Sequence, residues 1–153
     1  MDTNVLIRES RISDSASVYS LLRVIAELHK SGRPDIFVDL VSKYTEEQVI
    51  NRLSQDDNGV FVAEIDSKVI GYIFCETKNE GDGKTLYIDD LCVDRSARRM
   101  GVGRMLVDKA RAYAEEKGCN RLLLNVWEFN KNAIDFYEDY GFSTRSRHME
   151  MNI

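Results

Sequence analysis

The chain has 153 residues, of which 43% are hydrophobic and 31% are charged, a composition typical of a soluble globular protein. Its formal net charge of -5 argues against a nucleic-acid-binding protein, because such proteins normally present a basic surface. The three cysteines are widely spaced and form neither a disulfide framework nor a zinc-binding pattern, and no apolar run has the length of a membrane span.

The N-terminal sequence MDTNVLIRES carries an acid at Asp2 and lacks an apolar stretch of signal-peptide length. Together with the cysteine pattern, this favours a reduced protein, and we expect a cytoplasmic location. The length fits a single domain over residues 1–153. His29 and His148 lie far apart in sequence, which gives little support for a histidine-based metal site, so we expect no metal.

The first third of the chain predicts one strand and two helices. Residues 5–10, VLIRES, read as a short strand, and apolar side chains recur at helical spacing across residues 13–30. Residues 45–53 predict a second helix, because Thr45 and Gln48 have the spacing of a capping box at its start.

The middle of the chain predicts three consecutive strands and a long helix. Residues 59–66, 68–77 and 85–93 are rich in β-branched and aromatic residues and are separated by turn sequences, which is typical of a meander. Residues 101–117 have helical periodicity, and Gly118 follows where a glycine often ends a helix.

The last part of the chain predicts a strand over residues 120–127, a helix over residues 132–140 and a final strand over residues 142–153. The predicted order is therefore β-α-α-β-β-β-α-β-α-β. Because a meander is followed by alternating strands and helices, we expect an α+β fold with a mixed sheet.

The sequence RSARRMGVGRML, residues 95–106, joins the third strand of the meander to the long helix. Backbone N–H groups at a helix N-terminus lack partners within the helix, and the helix dipole places partial positive charge there. The two glycines let a ligand approach this backbone, and Arg98, Arg99 and Arg104 add guanidinium groups that bind phosphate oxygens. The turn therefore predicts a phosphate-binding site.

The glycine pattern of the chain argues against two nucleotide-binding motifs and leaves one other interpretation of this turn open. A dinucleotide-binding fingerprint needs a third glycine, which this turn lacks. The sequence GKT at residues 83–85 matches the end of a nucleotide-triphosphate loop, but Lys78 stands where its first glycine belongs. The remaining alternative is a loop that carries a solvated cluster of arginines.

Two motifs together resemble the GNAT superfamily of N-acetyltransferases. RRMGVG fits the pattern [QR]-x-x-G-x-[GA], and NKNAIDFYEDYGF resembles the second signature of the superfamily at each defined position. The resemblance covers the whole chain and is weakest between about residues 30 and 53. It implies a mostly antiparallel mixed sheet flanked by helices.

The resemblance also implies acetyl-CoA as the acyl donor. Its pyrophosphate would lie on the glycine turn, and its pantetheine arm would pair with the strand before the turn, as an added strand does. Asn130 would donate a hydrogen bond to the pantetheine from the other side. The residues that the resemblance assigns to the donor are Leu91, Cys92, Val93, Arg98, Arg99, Met100, Gly101, Val102, Gly103, Arg104 and Asn130.

Direct attack of an amine on the thioester requires a base and an acid. Tyr137 matches the general acid of the family, whereas Asn125 stands at a position that supplies the base in some relatives and cannot accept a proton. The strand LYIDDLCV resembles that of polyamine acetyltransferases, in which an acid aligned with Asp89 faces the amine. By strand alternation we expect Asp89 and Asp90 on opposite faces and favour Asp89 as the base; Asp90 and a water chain remain open.

These observations support an N-acetyltransferase acting on a primary amine of a small cationic molecule or of a protein, with a homodimer possible and no nucleic acid or membrane as partner. The alternatives are a non-catalytic acyl-CoA-binding module of the same fold and, more remotely, a nucleotide-binding protein. Trp127 is expected in the core, and the alternative is that it stacks on the substrate. Cys92 is expected to be a small buried residue that only packs in the core, and the alternative is that it forms an acyl-cysteine intermediate.

Overall fold

A five-stranded sheet lies at the centre of the computed structural model, which describes residues 4–153; residues 1–3, including Asp2, lie outside it. The strands are β1 (Leu6–Glu9), β2 (Val60–Ile65), β3 (Lys68–Glu80), β4 (Gly83–Val93) and β5 (Arg121–Leu124). Their order in space is their order in the chain. The first three pairings are antiparallel and the β4–β5 pairing is parallel, which confirms the predicted mixed, mostly antiparallel sheet.

Four helices flank this sheet. They are α1 (Ser15–Gly32), α2 (Glu46–Leu53), α3 (Val102–Glu116) and α4 (Lys131–Tyr140). The capping box predicted for α2 is present: the Gln48 N–H donates to the Thr45 hydroxyl over 3.1 Å, and the Thr45 N–H donates to the Gln48 side chain over 2.9 Å. Within the described residues no helix combines the length and the apolar character that crossing a bilayer requires.

The sheet carries a hydrophobic core on each face. Helices α1 and α2 cover one face, where Leu22, Tyr72 and Phe74 are almost completely buried. Helix α3 covers the opposite face through Leu106 and its apolar neighbours, and α4 adds half-buried aromatic side chains there. We call these the α1/α2 face and the α3/α4 face.

Strand β4 runs past the end of its parallel neighbour β5. The two strands pair from Thr85–Arg121 to Ile88–Leu124, whereas β4 stays paired with β3 as far as Val93. Residues 89–93 therefore lack a strand on their β5 side within the described part of the chain, and the sheet opens there into a gap.

The predicted final strand over residues 142–153 is wrong. The segment has no regular secondary structure, and Met149 and Met151 are 90% and 82% exposed. Its loose alternation of apolar and polar residues gives no continuous face to bury, and register is weakly specified in that case. Ion pairs of Arg145 with Glu80 and of Glu150 with Arg33 tie the segment to the rest of the fold.

A buried ion network joins β1, β2 and the turn before α1. The guanidinium of Arg8 donates to both carboxylate oxygens of Asp14 over 2.9 Å and to Glu64 over 2.9 and 3.1 Å. The Arg8 and Asp14 side chains are only 13% and 7% exposed. Burial is the largest single effect and would raise the pKa of Asp14, but the hydrogen bonds from Arg8 and from the Arg11 N–H, together with the charges of both arginines, outweigh it and hold that pKa below its usual 3.8.

We predict that Arg8→Met lowers the free energy of unfolding by about 3–5 kcal/mol, because the substitution leaves two partly buried carboxylates without their cation. Urea denaturation at neutral pH measures the change. Arg33→Met, which removes two ion pairs to the exposed carboxylates of Asp35 and Glu150, is the matched control and should have a much smaller effect. Equal losses in the two variants would contradict the role of burial.

The same network has a pH signature. Since Asp14 has a depressed pKa in the folded state, its contribution to stability is present above pH 3.8 and is lost as the pH falls through the folded-state value. Wild-type protein should therefore lose more stability below about pH 4 than Arg8→Met does.

Candidate active site

The glycine turn is anchored at both ends and exposed in the middle. Ala97 and Val102 are 2% and 1% exposed and belong to the core of the α3/α4 face. The residues between them, from Arg98 to Gly101, are exposed. Arg99 and Gly101 both have a positive φ, of 68° and 75°, which bends the chain sharply before α3 begins.

The two glycines of the turn have different structural causes. Gly101 has a left-handed conformation, and a Cβ placed on it would meet no atom within 4 Å, so its backbone is open to a ligand. Gly103 lies against α4, since a Cβ there would come within 3.3 Å of the Phe136 ring. Arg104, on the first turn of α3, lies over the Tyr140 ring, with its guanidinium carbon 5.0 Å from the ring centroid. Side chains of α3 and α4 therefore contact each other here.

The predicted pantetheine strand forms one wall of the gap. Leu91 and Val93 are half-buried, and Cys92 is 6% exposed with its side chain on the α1/α2 face. Asn130 lies at the N-terminus of α4, where its side-chain oxygen accepts a hydrogen bond from the Ala133 N–H over 3.3 Å. The structure therefore gives Asn130 a capping role in addition to the predicted contact with the donor.

The expectation that Asp89 and Asp90 point to opposite faces is wrong. A β-bulge interrupts β4: Cys75 pairs with Ile88 and Phe74 pairs with Asp90, so Asp89 is the extra residue. Asp90 bonds Tyr72 and Asp89 bonds Tyr44, and both tyrosines belong to the α1/α2 face. An inserted residue shifts the alternation by one position, which brings the two carboxylates to the same face.

Asp89 is held by two side chains from the loop between α1 and α2. The Lys43 ammonium lies 3.0 Å from its Oδ1 atom and donates to its backbone oxygen over 2.8 Å. The Tyr44 hydroxyl donates to its other carboxylate oxygen. Burial, followed by this hydrogen bond, raises the pKa of Tyr44 above its usual value, so the phenol keeps its proton.

Asp90 occupies a more buried position beside it. The Tyr72 hydroxyl donates to Oδ2 over 2.8 Å, and the Leu91 N–H donates to Oδ1 over 3.0 Å. Burial raises the pKa of Asp90 above its usual value and outweighs the opposing effect of the Tyr72 hydrogen bond. The bulge therefore carries two acids in different environments, one paired with a cation and one largely removed from water.

Tyr137 lies on α4 and is half-buried. Its ring contacts those of Phe136 and Phe142 edge-on, with centroid distances of 5.1 and 5.5 Å. Burial raises the pKa of Tyr137, and the charge of Asp90 raises it further. The hydroxyl is therefore protonated at neutral pH and lies within electrostatic reach of the acids on the bulge.

An aromatic cluster borders Lys43 on the α1/α2 side. It consists of His29, Phe37, Trp127 and Phe129, whose ring centroids lie 5.1 to 6.1 Å apart. Burial lowers the pKa of His29, and the charge of Lys43 lowers it further. The prediction that Trp127 belongs to the core is wrong, because it is 38% exposed at the rim of this cluster.

Cys92 and Asn125 each make a hydrogen bond that explains their place in the structure. The Cys92 thiol donates to the Leu21 carbonyl over 3.6 Å, and burial raises its pKa to about 12, which suits a filler rather than a nucleophile. The Asn125 amide donates to the Tyr87 hydroxyl over 2.9 Å. Across residues 4–153, the His, Cys, Asp and Glu side chains form no group that could hold a metal ion.

The structure places Asp89 and Asp90 on the bulge at the edge of the gap, Tyr137 on α4 where the charge of Asp90 acts on it, and the glycine turn directly before α3. Lys43 and Tyr44 were not found from the sequence, and Trp127 was considered by itself rather than as one member of an aromatic cluster. No motif marks them, and they meet only when the chain folds. Their one signal in sequence is position, since several of them follow α1, in the region where the resemblance is weakest.

Comparison with known proteins agrees with this geometry. The model of the acetyltransferase (GNAT) family matches residues 22–142. Thialysine N-epsilon-acetyltransferase of Bos taurus is 31% identical over 152 residues, covering 90% of this chain and 83% of that protein. An uncharacterised N-acetyltransferase of Methanocaldococcus jannaschii is 32% identical over 96 residues, a match that covers 61% of this chain but only 42% of that protein.

Among solved structures, the fold is similar to that of the BH1408 protein of Bacillus halodurans, determined as a tetramutant. The TM-score is 0.84 at 25% sequence identity, and the match covers 97% of this chain and 99% of that one. The similarity therefore extends over the whole sheet and all four helices.

Proposed function

The chain belongs to the acetyltransferase (GNAT) family, and on that premise we propose that it acetylates the primary amine of a small cationic molecule held at Asp89. Acetyl-CoA-dependent acetyl transfer to an amine is the activity of the family; the acceptor class and the residue roles are our proposal. The observation that carries the proposal is the Lys43 ammonium, an alkyl ammonium bound to Asp89 at 3.0 Å beside the gap in the sheet. An acceptor amine needs the same environment.

The donor side follows from the glycine turn and the gap. Acetyl-CoA supplies an activated acetyl group as a thioester. The N–H groups of the turn and of the first turn of α3 bind the pyrophosphate, aided by Arg98, Arg99 and Arg104. The free edge of Leu91 to Val93 pairs with the amides of the pantetheine arm, because β5 ends before reaching it.

The acceptor side lies on the α1/α2 face. Asp89 attracts a cationic amine, and Tyr44 holds the carboxylate in place by hydrogen bonding to its second oxygen. The aromatic cluster provides an apolar wall for a short alkyl chain. The thialysine acetyltransferase relative is named for transfer to an ε-amine, and this supports a lysine-like alkylamine as the acceptor.

Two proton transfers are assigned to the acids and the tyrosine. An alkyl ammonium has a pKa near 10, so it must lose a proton before it attacks. Asp89 accepts this proton directly or through water, with the raised pKa of Asp90 making that second acid the alternative base. Tyr137, protonated at neutral pH, donates to the departing thiolate.

The non-catalytic acyl-CoA-binding module is the competing function, and turnover separates the two. A cytoplasmic location and a homodimer stay predictions from sequence.

We predict that the protein releases CoA thiol from acetyl-CoA in the presence of lysine-like amines and polyamines, and that Asp89→Asn raises KM for these amines by roughly tenfold or more. The reason is that an amide cannot pair with the ammonium charge. Thiol release across a panel that includes thialysine, amino sugars and basic peptides measures both effects. Asp66→Asn, in the exposed β2–β3 turn, is the control. Binding of CoA without turnover of any amine would favour the non-catalytic module.

The glycine turn offers a matched pair of substitutions. Gly101 and Gly118 have φ of 75° and 77°, and a Cβ on either would meet nothing within 4 Å. Leucine at either position should therefore cost about 1–2 kcal/mol of stability from backbone strain. Only Gly101→Leu should weaken CoA binding, by roughly tenfold to a hundredfold, because its side chain covers the phosphate-binding backbone. Calorimetric titration with CoA measures this, and unchanged affinity in Gly101→Leu would refute the assignment.

We predict that Tyr137→Phe lowers kcat by about a hundredfold or more and leaves the Kd of CoA nearly unchanged, because the change removes a proton donor and keeps the ring. Steady-state kinetics and calorimetry together give the two values. Tyr113→Phe, which removes a hydroxyl bonded to Asp57 at the far end of α3, is the control. A parallel loss of binding and turnover in Tyr137→Phe would disprove the general-acid role.

A further inference from the structure

We propose that Lys43 is itself an acceptor, so that the protein acetylates this lysine in cis. The inference rests on the proposed function, because it uses the same donor site, the same acid and the same tyrosine. It goes further by assigning a covalent modification site to the loop between α1 and α2.

The ion pair of Lys43 differs from those of other lysines in the burial of its partner. Asp89 is 17% exposed, whereas the carboxylates that pair with Lys117 and Lys131 are 55% and 92% exposed. Those two pairs lie on the surface, where a lysine ion pair has little structural consequence. The Lys43 ammonium is instead directed at the bulge, and its hydrogen bond to the Asp89 carbonyl places it against the backbone where β4 leaves β5.

The chain around Lys43 is fixed rather than a free loop tip. Tyr44 packs against Phe74 with a centroid distance of 5.9 Å and bonds Asp89, and Thr45 caps α2. The Ser42 hydroxyl donates to the Tyr44 carbonyl over 2.7 Å. A lysine between such anchors presents its amine at a high effective concentration to a thioester bound in the gap.

The transfer balances with the groups already described. The ammonium of Lys43 loses a proton to Asp89 or to water, and its Nζ atom forms a bond to the acetyl carbonyl carbon. The carbon–sulfur bond breaks, and the thiolate takes a proton from Tyr137. As the amide forms, Nζ releases its second surplus proton, which returns through water to the Tyr137 phenolate; the net reaction releases one proton to solvent by way of Asp89 or water. The products are an Nε-acetyl-lysine at position 43 and CoA.

Acetylation would also change the site for external amines. An acetylated lysine has no charge, so it cannot hold Asp89 as an ammonium does. The carboxylate then becomes available to the acceptor. Before that change, an external amine must displace Lys43 from the same oxygen.

The test is incubation of the full chain with acetyl-CoA and no added amine, followed by mass spectrometry of the peptides that contain Lys43 and Lys117. We expect Lys43 to gain the acetyl mass at least about tenfold faster than Lys117, the internal control for chemical acetylation. The rate constant should not change when the protein is diluted, since the step is intramolecular. Tyr137→Phe should slow the reaction at Lys43 but not at Lys117.

Acetylation of Lys43 at the rate of Lys117, or at a rate proportional to protein concentration, would overturn the inference. If panel amines are acetylated and Lys43 is not, the inference alone fails. If neither is acetylated, the proposed function fails with it. The second readout is KM for external amines in two variants. Lys43→Gln resembles the acetylated state and should have a lower KM than Lys43→Arg, which keeps the charge. The reverse order would contradict displacement of Lys43 by the acceptor.

Discussion

The candidate active site depends on the different lengths of two parallel strands that lie side by side, β4 and β5. Strand β4 has 11 residues and is paired with β3 along its length, whereas β5 has 4 residues and leaves β4 after Ile88. Beyond Ile88 the main chain of β4 has no β5 partner, and side chains replace it in part: Lys43 donates to the Asp89 carbonyl and the Leu91 N–H donates to Asp90. Pairing of the remaining backbone groups with the amides of pantetheine is the use that the proposed function makes of this break in the sheet.

The bulge in β4 places its acids at the same break. Without the extra residue, Asp89 would follow the alternation of the strand and face the opposite side from Asp90. With it, both carboxylates face α1 and α2, and Tyr72 and Tyr44 each bond one of them. The pair thus divides into a carboxylate that holds a cation and a buried carboxylate with a raised pKa. Two acids in different environments are an arrangement suited to binding an ammonium and removing its proton.

Much of the fold was predictable from local patterns. The meander, the α2 capping box and the glycine turn each carry a signal within a few residues, and each is confirmed in the structure. The bulge at Asp89 was not predictable, because an extra residue in a strand leaves no mark in an apolar run. The final strand failed for a related reason: a weak alternation does not fix a register, and residues 142–153 bury no face.

The residues of the candidate site also divide into those that the sequence predicts and those that it does not. Most residues proposed to bind the donor lie in two contiguous motifs or on the strand before the first, so the sequence names them, whereas the proposed acceptor wall joins the α1–α2 loop to the segment after β5. Lys43 and Trp127 are far apart in the chain and share no pattern. The tertiary fold relates them, because Trp127 packs against Phe37 of the α1–α2 loop with a ring-centroid distance of 5.1 Å.

The charges at the glycine turn and at the bulge explain how a chain with a net negative charge can bind a polyanionic donor. The arginines of the glycine turn lie before α3, and the acids of the bulge lie on the α1/α2 face, so the two charged groups are separated by the sheet. A donor rich in phosphate is attracted to the first and repelled by the second, and a cationic acceptor behaves in the opposite way. An α-amine next to its own carboxylate would bring negative charge against Asp89 and Asp90. An amine at the end of an alkyl chain avoids that repulsion, which is why the acceptor we propose is an ε-amine rather than an α-amine.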